Sequence, residues 1–326
     1  MLGFISRSLT ALGYLAAAGI ALIPFGYLTA RLLPVVDLFA QFLFGAILGA
    51  LLLCLVALLG RRFRLAIVAG TLLLTSVALA LPYELPPGAA TAEHRLRLLS
   101  FNIFFDNLRL PDVVAGVRAT KADVVILLEV APKNREGLRP LDQDYPYRIE
   151  CWQKRRCDIL VLSRVPLKDL EPSVTIVNTP PAWAAAELEL GGCRFALVAA
   201  HLSLPFPFHY PGEQGARATS LTQIVQQIKQ PKILAGDFNA ASWGAIIADI
   251  AEATQLKVLT GYGATWPTPF PTYLGIPIDN ILASREFTFL SRELEAIPGS
   301  DHRGVLADIA LPPADQCQTP GRQAPQ

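Results

Sequence analysis

The sequence predicts an α/β sandwich with mixed β-sheets, preceded by three transmembrane helices. Charged residues are scarce at the start of the chain, because residues 1–82 hold six of its 55 charged side chains, which comprise 28 basic and 27 acidic residues. The rest of the chain alternates short apolar runs with fewer, longer amphipathic segments. Several of these runs are adjacent in sequence, which favours mixed sheets over a repeated βαβ unit.

Three uncharged stretches, residues 8–30, 38–60 and 65–83, are long enough to cross a bilayer. A spanning helix needs about 20 residues to cover about 30 Å of hydrocarbon. A cleaved signal peptide is the alternative for the first stretch, but its apolar run exceeds the usual ~7–15 residues and two further stretches follow it. Buried helices of a soluble domain would normally show one polar face. We therefore expect a membrane domain over residues 1–84.

The basic residues of the short loops predict the orientation in the membrane, because such residues stay preferentially in the cytoplasm. Arg61, Arg62 and Arg64 connect the second and third stretches, whereas the first loop has Arg31 and the opposing Asp37. The N-terminus is therefore expected in the cytoplasm. The chain after residue 84 is expected outside it, in an integral protein of the cytoplasmic membrane.

Cysteine usage agrees with an oxidising compartment, in which Cys151 and Cys157 would pair across a short polar stretch. Two free thiols in unrelated strands are the alternative, and both remain open at this stage. Cys193 and Cys317 have no obvious partner. No CxxC motif and no Cys/His cluster suggests zinc.

A linker is expected at residues 85–94, where prolines and small residues favour no packed element. A globular domain is expected over residues 95–311, followed by a disordered Pro-, Gln- and Gly-rich tail over residues 312–326. Predicted strands lie at residues 95–101, 123–129, 158–163, 184–190, 194–200, 232–236, 278–284 and 304–311, and predicted helices at residues 111–120, 215–229 and 242–253.

Polar residues suited to metal or phosphate chemistry stand at the ends of these runs, where one sheet edge could gather them. Taken singly, Asn102 has a structural interpretation as a turn cap, Glu129 as a solvated strand end and His201 as a hydrogen-bonded histidine. Their order along the chain is more specific. The motifs are Ser100-Phe101-Asn102, Leu127-Leu128-Glu129, Ala200-His201-Leu202, Gly236-Asp237-Phe238-Asn239, Ile278-Asp279-Asn280-Ile281-Leu282 and Ser300-Asp301-His302.

This order of motifs resembles the endonuclease/exonuclease/phosphatase superfamily, over essentially all of residues 95–311. The resemblance implies a DNase I-like, four-layer α/β sandwich with two mixed β-sheets, and a metal-dependent phosphoric ester hydrolase. With its leading apolar stretches, the chain is similar to the membrane-tethered VanJ-type and YafD-type branch. Asn280 departs from the pattern, because many members carry His or Tyr at that position, which puts the surroundings of Asp279 in doubt.

The resemblance and the chemistry of the side chains imply roles at a metal site. Mg²⁺, with Mn²⁺ as the alternative, prefers oxygen ligands, and Glu129, Asn102 and Asp301 are the expected ligands. Asp237 is expected to orient or deprotonate the attacking water. Asn239 is expected to bind the phosphate or its developing charge.

The histidines are expected to supply proton transfer and phosphate contact, since imidazole titrates near working pH. His302 would contact the phosphate or take the proton of the water, and Asp279 would hold its ring. His201 would contact the phosphate or protonate the leaving group. His209, in a loop rich in Pro and Phe, is a competitor for substrate contact.

Net charge and the short linker to the membrane domain limit the classes of substrate that we expect. The net charge is +1 overall and residues 1–82 hold five positive and one negative side chain, so the rest of the chain carries about −3. DNA affinity depends on neutralising backbone phosphates, which this balance disfavours. The short linker holds the site near the bilayer, and the Pro- and Phe-rich segment at residues 204–211 suits an acyl or isoprenoid chain, with ordinary core packing as its alternative.

We therefore expect a lipid-linked phosphate, pyrophosphate or phosphodiester as substrate, for instance a polyprenyl carrier. Membrane lipids are the expected partners, and no obligate protein partner is evident. A nuclease that cleaves DNA outside the cytoplasm is one alternative. An inactive interaction module at the membrane is the other, and it would be favoured by missing motif residues.

Overall fold

The computed structural model describes residues 2–83, 93–151, 157–171, 182–205, 212–259, 261–314 and 316–317. The helices are α1 Leu2–Thr29, α2 Asp37–Ala40, α3 Leu43–Leu59, α4 Phe63–Ala80, α5 Leu110–Thr120, α6 Arg135–Leu138, α7 Glu213–Gln227 and α8 Ala245–Thr254. The strands are β1 Arg95–Asn102, β2 Val124–Leu128, β3 Tyr147–Glu150, β4 Leu160–Ser163, β5 Lys168–Asp169, β6 Ala182–Leu190, β7 Cys193–His201, β8 Lys232–Asp237, β9 Lys257–Val258, β10 Asp279–Ala283, β11 Thr288–Glu295 and β12 Gly304–Ala310.

The described strands form two six-stranded sheets, in the orders β11-β12-β1-β2-β4-β3 and β5-β6-β7-β8-β10-β9. In the first sheet β1 and β2 are parallel, and in the second β7 and β8 are parallel. Both sheets also contain antiparallel pairs, such as β1 with β12 and β8 with β10. The predicted mixed sheets are therefore confirmed.

Alternate residues of the central strands enter different cores, because successive side chains of a strand point to opposite faces. In β7, Phe195 and Leu197 enter the core between the two sheets, whereas Val198 and Ala200 pack with residues of α7 and α8 on the outer face. The outer face of β1 likewise packs against α5. The layers run helix, sheet, sheet, helix, which confirms the predicted four-layer sandwich.

The segments that sequence patterning misses are edge strands. β3 and β11 lie at edges of the first sheet, and each is largely exposed or half-buried. β11 carries Arg292, Glu293 and Glu295. Strands covered on both faces appear as continuous apolar runs, whereas an exposed edge tolerates charge. A search for apolar runs therefore finds the interior strands and not these two.

Two helical stretches, Arg7–Thr29 and Phe63–Tyr83, are long and apolar enough to cross a membrane. The predicted second span is not one straight helix, because Pro34–Ala40 and Leu43–Leu59 meet at 57°. The described residues thus contain two candidate spans, or three if the bent pair is one span. The prediction of apolar helices long enough to span a membrane is therefore confirmed for two stretches, and the third stretch qualifies only as a bent pair.

The bend brings a carboxylate of the N-terminal region to the start of α8. Asp37 Oδ1 accepts a hydrogen bond from the backbone N–H of Ala245 at 2.9 Å. The first N–H groups of a helix lack partners within it, and Gly244, which precedes α8, has no side chain to supply one. Asp37 therefore caps a helix that lies more than 200 residues away in the chain.

A second residue of the bend fixes the segment that precedes α8. Gln41 Oε1 accepts a hydrogen bond from Ala241 N at 2.5 Å, and Trp243 Nε1 donates to Ala40 O at 2.7 Å. The Trp243 ring also lies 4.9 Å from the Phe44 ring, centroid to centroid. The N-terminal helices are thus packed directly on the globular part of the chain.

The structure contains two disulfides, Cys151–Cys157 and Cys193–Cys317. Cys193 and Cys317, for which the sequence offered no obvious partner, pair with each other. These residues are 124 positions apart in sequence, yet the fold brings their Cα atoms to 5.1 Å. Most of the predicted linker and tail lies outside the described residues.

Candidate active site

The strand topology collects the sequence motifs at one edge of the two sheets. Parallel β1 and β2 end side by side at Asn102 and Leu128, and Glu129 follows directly. In the second sheet His201 is paired with Asp237 at the ends of β7 and β8, and Asp279 is paired with Asp237 at the start of antiparallel β10. The carboxyl ends of parallel strands are where such sheets gather functional groups.

The backbone at this edge is closely packed and locally strained. A Cβ atom on Gly236 would lie 1.8 Å from the Ala200 carbonyl oxygen, so only glycine fits beside β7. Glu129 and Asn239 have positive φ angles, 57° and 49°. Such conformations cost non-glycine residues about 1–3 kcal/mol and persist where surrounding contacts hold them. Both residues are therefore held in place by the fold.

Asn102 connects the carboxylates of the two sheets. Its Nδ2 donates to Glu129 Oε1 at 2.9 Å and to Asp237 Oδ2 at 3.0 Å. Its Oδ1 accepts from Phe104 N at 2.9 Å, and Glu129 Oε2 accepts from Phe105 N at 2.9 Å. The amide oxygen of Asn102 is therefore engaged by the backbone, and its amide nitrogen holds the two carboxylates about a common point.

The structure brings His302 and Asp279 together. His302 Nδ1 lies 2.9 Å from Asp279 Oδ2, and Nε2 lies 3.8 Å from Asp237 Oδ2. Burial alone would lower the pKa of His302, but the Asp279 carboxylate raises it to about 10. Burial, together with the charge of Asp279, raises the pKa of Asp237 to about 6.

A second histidine approaches Asp237 and has its own carboxylate. His201 Nδ1 lies 2.9 Å from Asp158 Oδ2, and Nε2 lies 3.9 Å from Asp237 Oδ2. Burial would lower the pKa of His201, but the hydrogen bond and charge of Asp158 raise it to about 9. Asp158 was assigned no role from the sequence, although it begins the predicted strand at residues 158–163.

Asn239 and Asp301 lie beside this group with different partners. Asn239 N donates to Asp237 Oδ1 at 2.8 Å, and its Nδ2 donates to Leu202 O at 2.9 Å. Asp301 Oδ2 accepts from the indole Nε1 of Trp266 at 3.0 Å. Asn239 thus belongs to the centre of the site, whereas Asp301 lies on its wall.

Two hydroxyl groups that were given no role hold the site residues in register. Ser300 Oγ donates to Asn102 O at 2.7 Å and accepts from His302 N at 2.9 Å. Thr265 Oγ1 accepts from Asp279 N at 3.2 Å. Ser300 belongs to the motif Ser300-Asp301-His302, whereas Thr265 lies outside the six motifs. Only the three-dimensional contacts reveal their function.

The departure at Asn280 has a structural explanation. Its Nδ2 donates to Ala240 O at 2.9 Å, and its Oδ1 accepts from Ser242 Oγ at 2.6 Å. Asn280 therefore fixes the segment between Asn239 and α8, which also receives the contact from Gln41. The competitor His209 lies in residues 206–211, outside the described residues.

The described residues at this edge fit a divalent cation. Asp237, Asp279 and His302 present ligand atoms within 4.8 Å of one another. Asp279 Oδ1 is buried without a hydrogen-bond partner, and the half-buried Glu129 adds a further carboxylate. Hard cations such as Mg²⁺ prefer these oxygen ligands. These three residues are not the predicted ligands Asn102, Glu129 and Asp301. Two of them, Asp279 and His302, lie close together because they are hydrogen-bonded to each other.

A family model described as Endonuclease/Exonuclease/phosphatase family matches residues 99–302, more than half of the chain. The chain belongs to this family, whose members are metal-dependent phosphoester hydrolases. The predicted superfamily and the predicted class of enzyme are confirmed at that level. No curated relative matches the chain.

Solved structures share the fold. An endonuclease/exonuclease/phosphatase from Bacteroides vulgatus aligns over 67% of this chain and 100% of its own, with a TM-score of 0.54 and 19% identity. D. rerio TDP2 complexed with single strand DNA product aligns over 67% and 99%, with a TM-score of 0.51 and 20% identity. A mutant of Staphylococcus aureus beta toxin with bound magnesium ions aligns over 66% and 99%, with a TM-score of 0.51 and 14% identity.

Proposed function

We propose that this chain is an integral membrane phosphohydrolase that uses Mg²⁺, or Mn²⁺ in its place, to cleave a lipid-linked phosphoester outside the cytoplasm. The observation that carries the proposal is the position of two histidine rings beside Asp237. This buried carboxylate lies 3.8 and 3.9 Å from the Nε2 atoms of His302 and His201, and each ring is held by a second carboxylate. Such a group can move protons and bind negative charge.

Each side chain of the site is assigned one step of the hydrolysis. A pKa of about 6 leaves Asp237 mostly ionised at neutral pH and suited to accept the proton of the attacking water. The water oxygen bonds to phosphorus, the bond to the leaving oxygen breaks, and His201 gives that oxygen a proton. His302, protonated at neutral pH, binds the phosphate charge, and the second amide hydrogen of Asn239 is directed to a phosphate oxygen.

Glu129 is the residue that we assign to the metal, with Asp301 and Asn102 as the other proposed ligands. When bound, a divalent ion neutralises phosphate charge and stabilises the leaving oxygen. Asn102 orients the Glu129 and Asp237 carboxylates toward the same region. Mutual orientation of water, phosphate and carboxylates contributes to rate by proximity.

The packing of the N-terminal helices supports three membrane crossings. The connection between α1 and α3 contacts the globular region through Asp37 and Gln41, so both lie on one side of the bilayer. Arg61 and Arg62 lie at the other end of α3. Basic loops favour the cytoplasm, which puts the active site outside it. Two disulfides agree with an oxidising compartment.

Tethering supports a lipid-linked substrate over DNA. Trp243 lies against Phe44 at the start of α3 and Tyr83 lies just beyond α4, with ring centroids 4.9 and 5.8 Å from Trp243. The catalytic edge is therefore close to the helices that enter the bilayer. The chain after residue 82 carries no basic excess that would neutralise a DNA backbone. Membership of the VanJ-type branch, which we propose from the sequence motifs and the leading apolar stretches, agrees with such a substrate.

The test is phosphate release from an isoprenoid pyrophosphate by the full chain in nanodiscs, with plasmid nicking measured in parallel. We expect Mg²⁺-dependent release that falls by about 10²–10⁴-fold in His302→Ala. His94→Ala is the matched control, since His94 is exposed and outside the site. Nicking without phosphate release would replace the lipid substrate with DNA. Full activity in His302→Ala would remove the proposed site.

A further inference from the structure

A loop beside the active site exposes apolar side chains although it lies in the globular region. Residues 258–278 contain no charged side chain. We call residues 261–276 the aromatic loop. Its exposed large side chains are Tyr262 at 46%, Trp266 at 37%, Phe270 at 54%, Tyr273 at 61% and Leu274 at 54%. Adjoining exposed apolar side chains mark a surface that contacts another apolar phase.

The aromatic loop has a defined shape, because polar contacts hold its backbone. Arg303 Nη2 donates to the carbonyl oxygens of Thr268 and Phe270 at 2.8 and 2.6 Å. Across the loop, Ala264 N donates to Thr272 O at 2.7 Å. These hydrogen bonds fix the backbone of the loop, while its large apolar side chains are exposed. This is a built surface of the fold.

One side of the aromatic loop forms the wall of the active site. Trp266 donates its indole N–H to Asp301, and Thr265 accepts a hydrogen bond from Asp279 N. Arg303, which holds the loop, directly follows His302 in sequence. The position of the loop and the position of the catalytic residues are therefore set by the same contacts.

Both ends of the aromatic loop rest on the membrane helices. The rings of Tyr262 and Phe44 are 5.2 Å apart, centroid to centroid. Ile276 packs in one cluster with Leu43 and Ala80. Leu43 begins α3 and Ala80 ends α4, so the base of the loop lies at the level where these helices leave the apolar core of a bilayer.

We propose that the aromatic loop rests in the interface of the bilayer that anchors the chain, and that it holds the mouth of the active site against the lipid surface. The proposal rests on the proposed membrane anchoring. Trp and Tyr are enriched at the membrane interface, where an apolar ring and a polar edge are both accommodated. A phosphate at headgroup level then reaches the site while its hydrocarbon chain stays in the bilayer.

Fluorescence quenching by nitroxide-labelled lipids tests this contact without reference to activity. A fluorophore is attached to Phe270→Cys in a Cys54→Ala background, and the full chain is reconstituted in nanodiscs. Tyr147→Cys is the matched control, because Tyr147 is exposed and pairs with Ser163, at the sheet edge opposite the active site. We expect strong quenching at residue 270 and little at residue 147.

Equal quenching at both positions in reconstituted protein would overturn the lipid contact and leave the anchoring intact. Recovery of the protein outside the nanodiscs would overturn the anchoring and, with it, the lipid contact. A kinetic readout adds to this: Phe270→Ser with Leu274→Ser should raise KM for a bilayer-embedded phosphoester by about tenfold. The kcat on a short soluble phosphoester should stay unchanged. An equal loss of kcat/KM on the soluble and the bilayer-embedded substrate would contradict the proposal.

Discussion

At the residue scale, the site is built from two histidine–carboxylate pairs that face one buried aspartate. Asp279 holds His302 and Asp158 holds His201, each through the Nδ1 atom. In each pair the carboxylate outweighs the effect of burial and raises the pKa of the imidazole, to about 10 and about 9 respectively. Asp237 between them therefore faces two cationic rings at neutral pH.

Replacing Asp158 with Asn tests the role of the His201 charge. Loss of the carboxylate should lower the pKa of His201 below about 9, because the protonated ring loses its hydrogen-bonded opposite charge. If protonated His201 serves the leaving group, activity is present below that pKa and is lost as pH rises through it. The alkaline limb of the kcat/KM profile in Asp158→Asn should therefore move to lower pH.

Asp144→Asn is the control for this profile, since Asp144 is a surface carboxylate paired with Arg118. Its profile should match that of the unchanged protein. An alkaline limb that stays in place in Asp158→Asn would show that His201 does not titrate in the reaction.

The sequence order predicted most of the residues that the structure gathers at the candidate site, but not all of their contacts. Asp279 and His302 follow from the resemblance, because both stand in its motifs. Asp158 does not, because nothing in a sequence shows that residue 158 meets residue 201. Asn102 was expected to offer its oxygen to a metal, and the structure adds that this oxygen also accepts a hydrogen bond from Phe104 N, which leaves one lone pair for an ion. Side-chain direction depends on packing that a motif does not contain.

At the element scale, the N-terminal helices are part of the catalytic fold rather than a separate anchor. Asp37 caps α8, and Gln41 holds the segment that connects Asn239 to α8. In the sequence analysis, Arg31 and Asp37 of the loop after α1 were used only to predict the orientation in the membrane. Capping across more than 200 residues is invisible to local sequence rules, since these examine the residues next to the helix.

Removing this cap should loosen the start of α8. In Asp37→Ala the N–H of Ala245 loses its partner, which costs about 0.5–2 kcal/mol. Hydrogen exchange of the first turn of α8 should accelerate by about 2–30-fold in the full chain. Asp37→Asn keeps an acceptor oxygen and should retain protection. Arg31→Ala, which removes an exposed ion pair with Asp249, should change little. Unchanged exchange in Asp37→Ala would refute the capping role.

At the scale of the whole molecule, the N-terminal helices pack directly on the globular region that contains the two sheets, and the proposed anchoring would hold the active site near the bilayer. The interior strands were predictable from apolar runs, whereas the edge strands, the bend before α3 and the Cys193–Cys317 disulfide were not. Each of these depends on contacts between distant segments. The disulfide joins residues 124 positions apart, beside the start of β7.

The proposed orientation in the membrane rests on the basic loop between α3 and α4. Neutralising Arg61, Arg62 and Arg64 together should weaken or invert the topology, because these residues favour the cytoplasm. A reporter fused to the C-terminus, read for its side of the membrane, measures this. Neutralising three exposed basic residues of the globular region, Arg109, Lys121 and Arg139, is the control and should leave the reporter in place. An unaltered reporter in the first variant would show that the loop does not set the orientation.

The central claim is a metal-dependent phosphohydrolase site at this edge of the sheets. Its most direct test is the initial rate of phosphate release from a lipid pyrophosphate, with and without Mg²⁺. The rate is measured for the wild-type protein, Glu129→Gln and Glu136→Gln. Glu136 is an exposed glutamate of α6 and serves as the matched control. We predict Mg²⁺-dependent release that is kept in Glu136→Gln and lost in Glu129→Gln. Equal Mg²⁺-dependent release in both variants would contradict a metal-dependent site at this edge of the sheets.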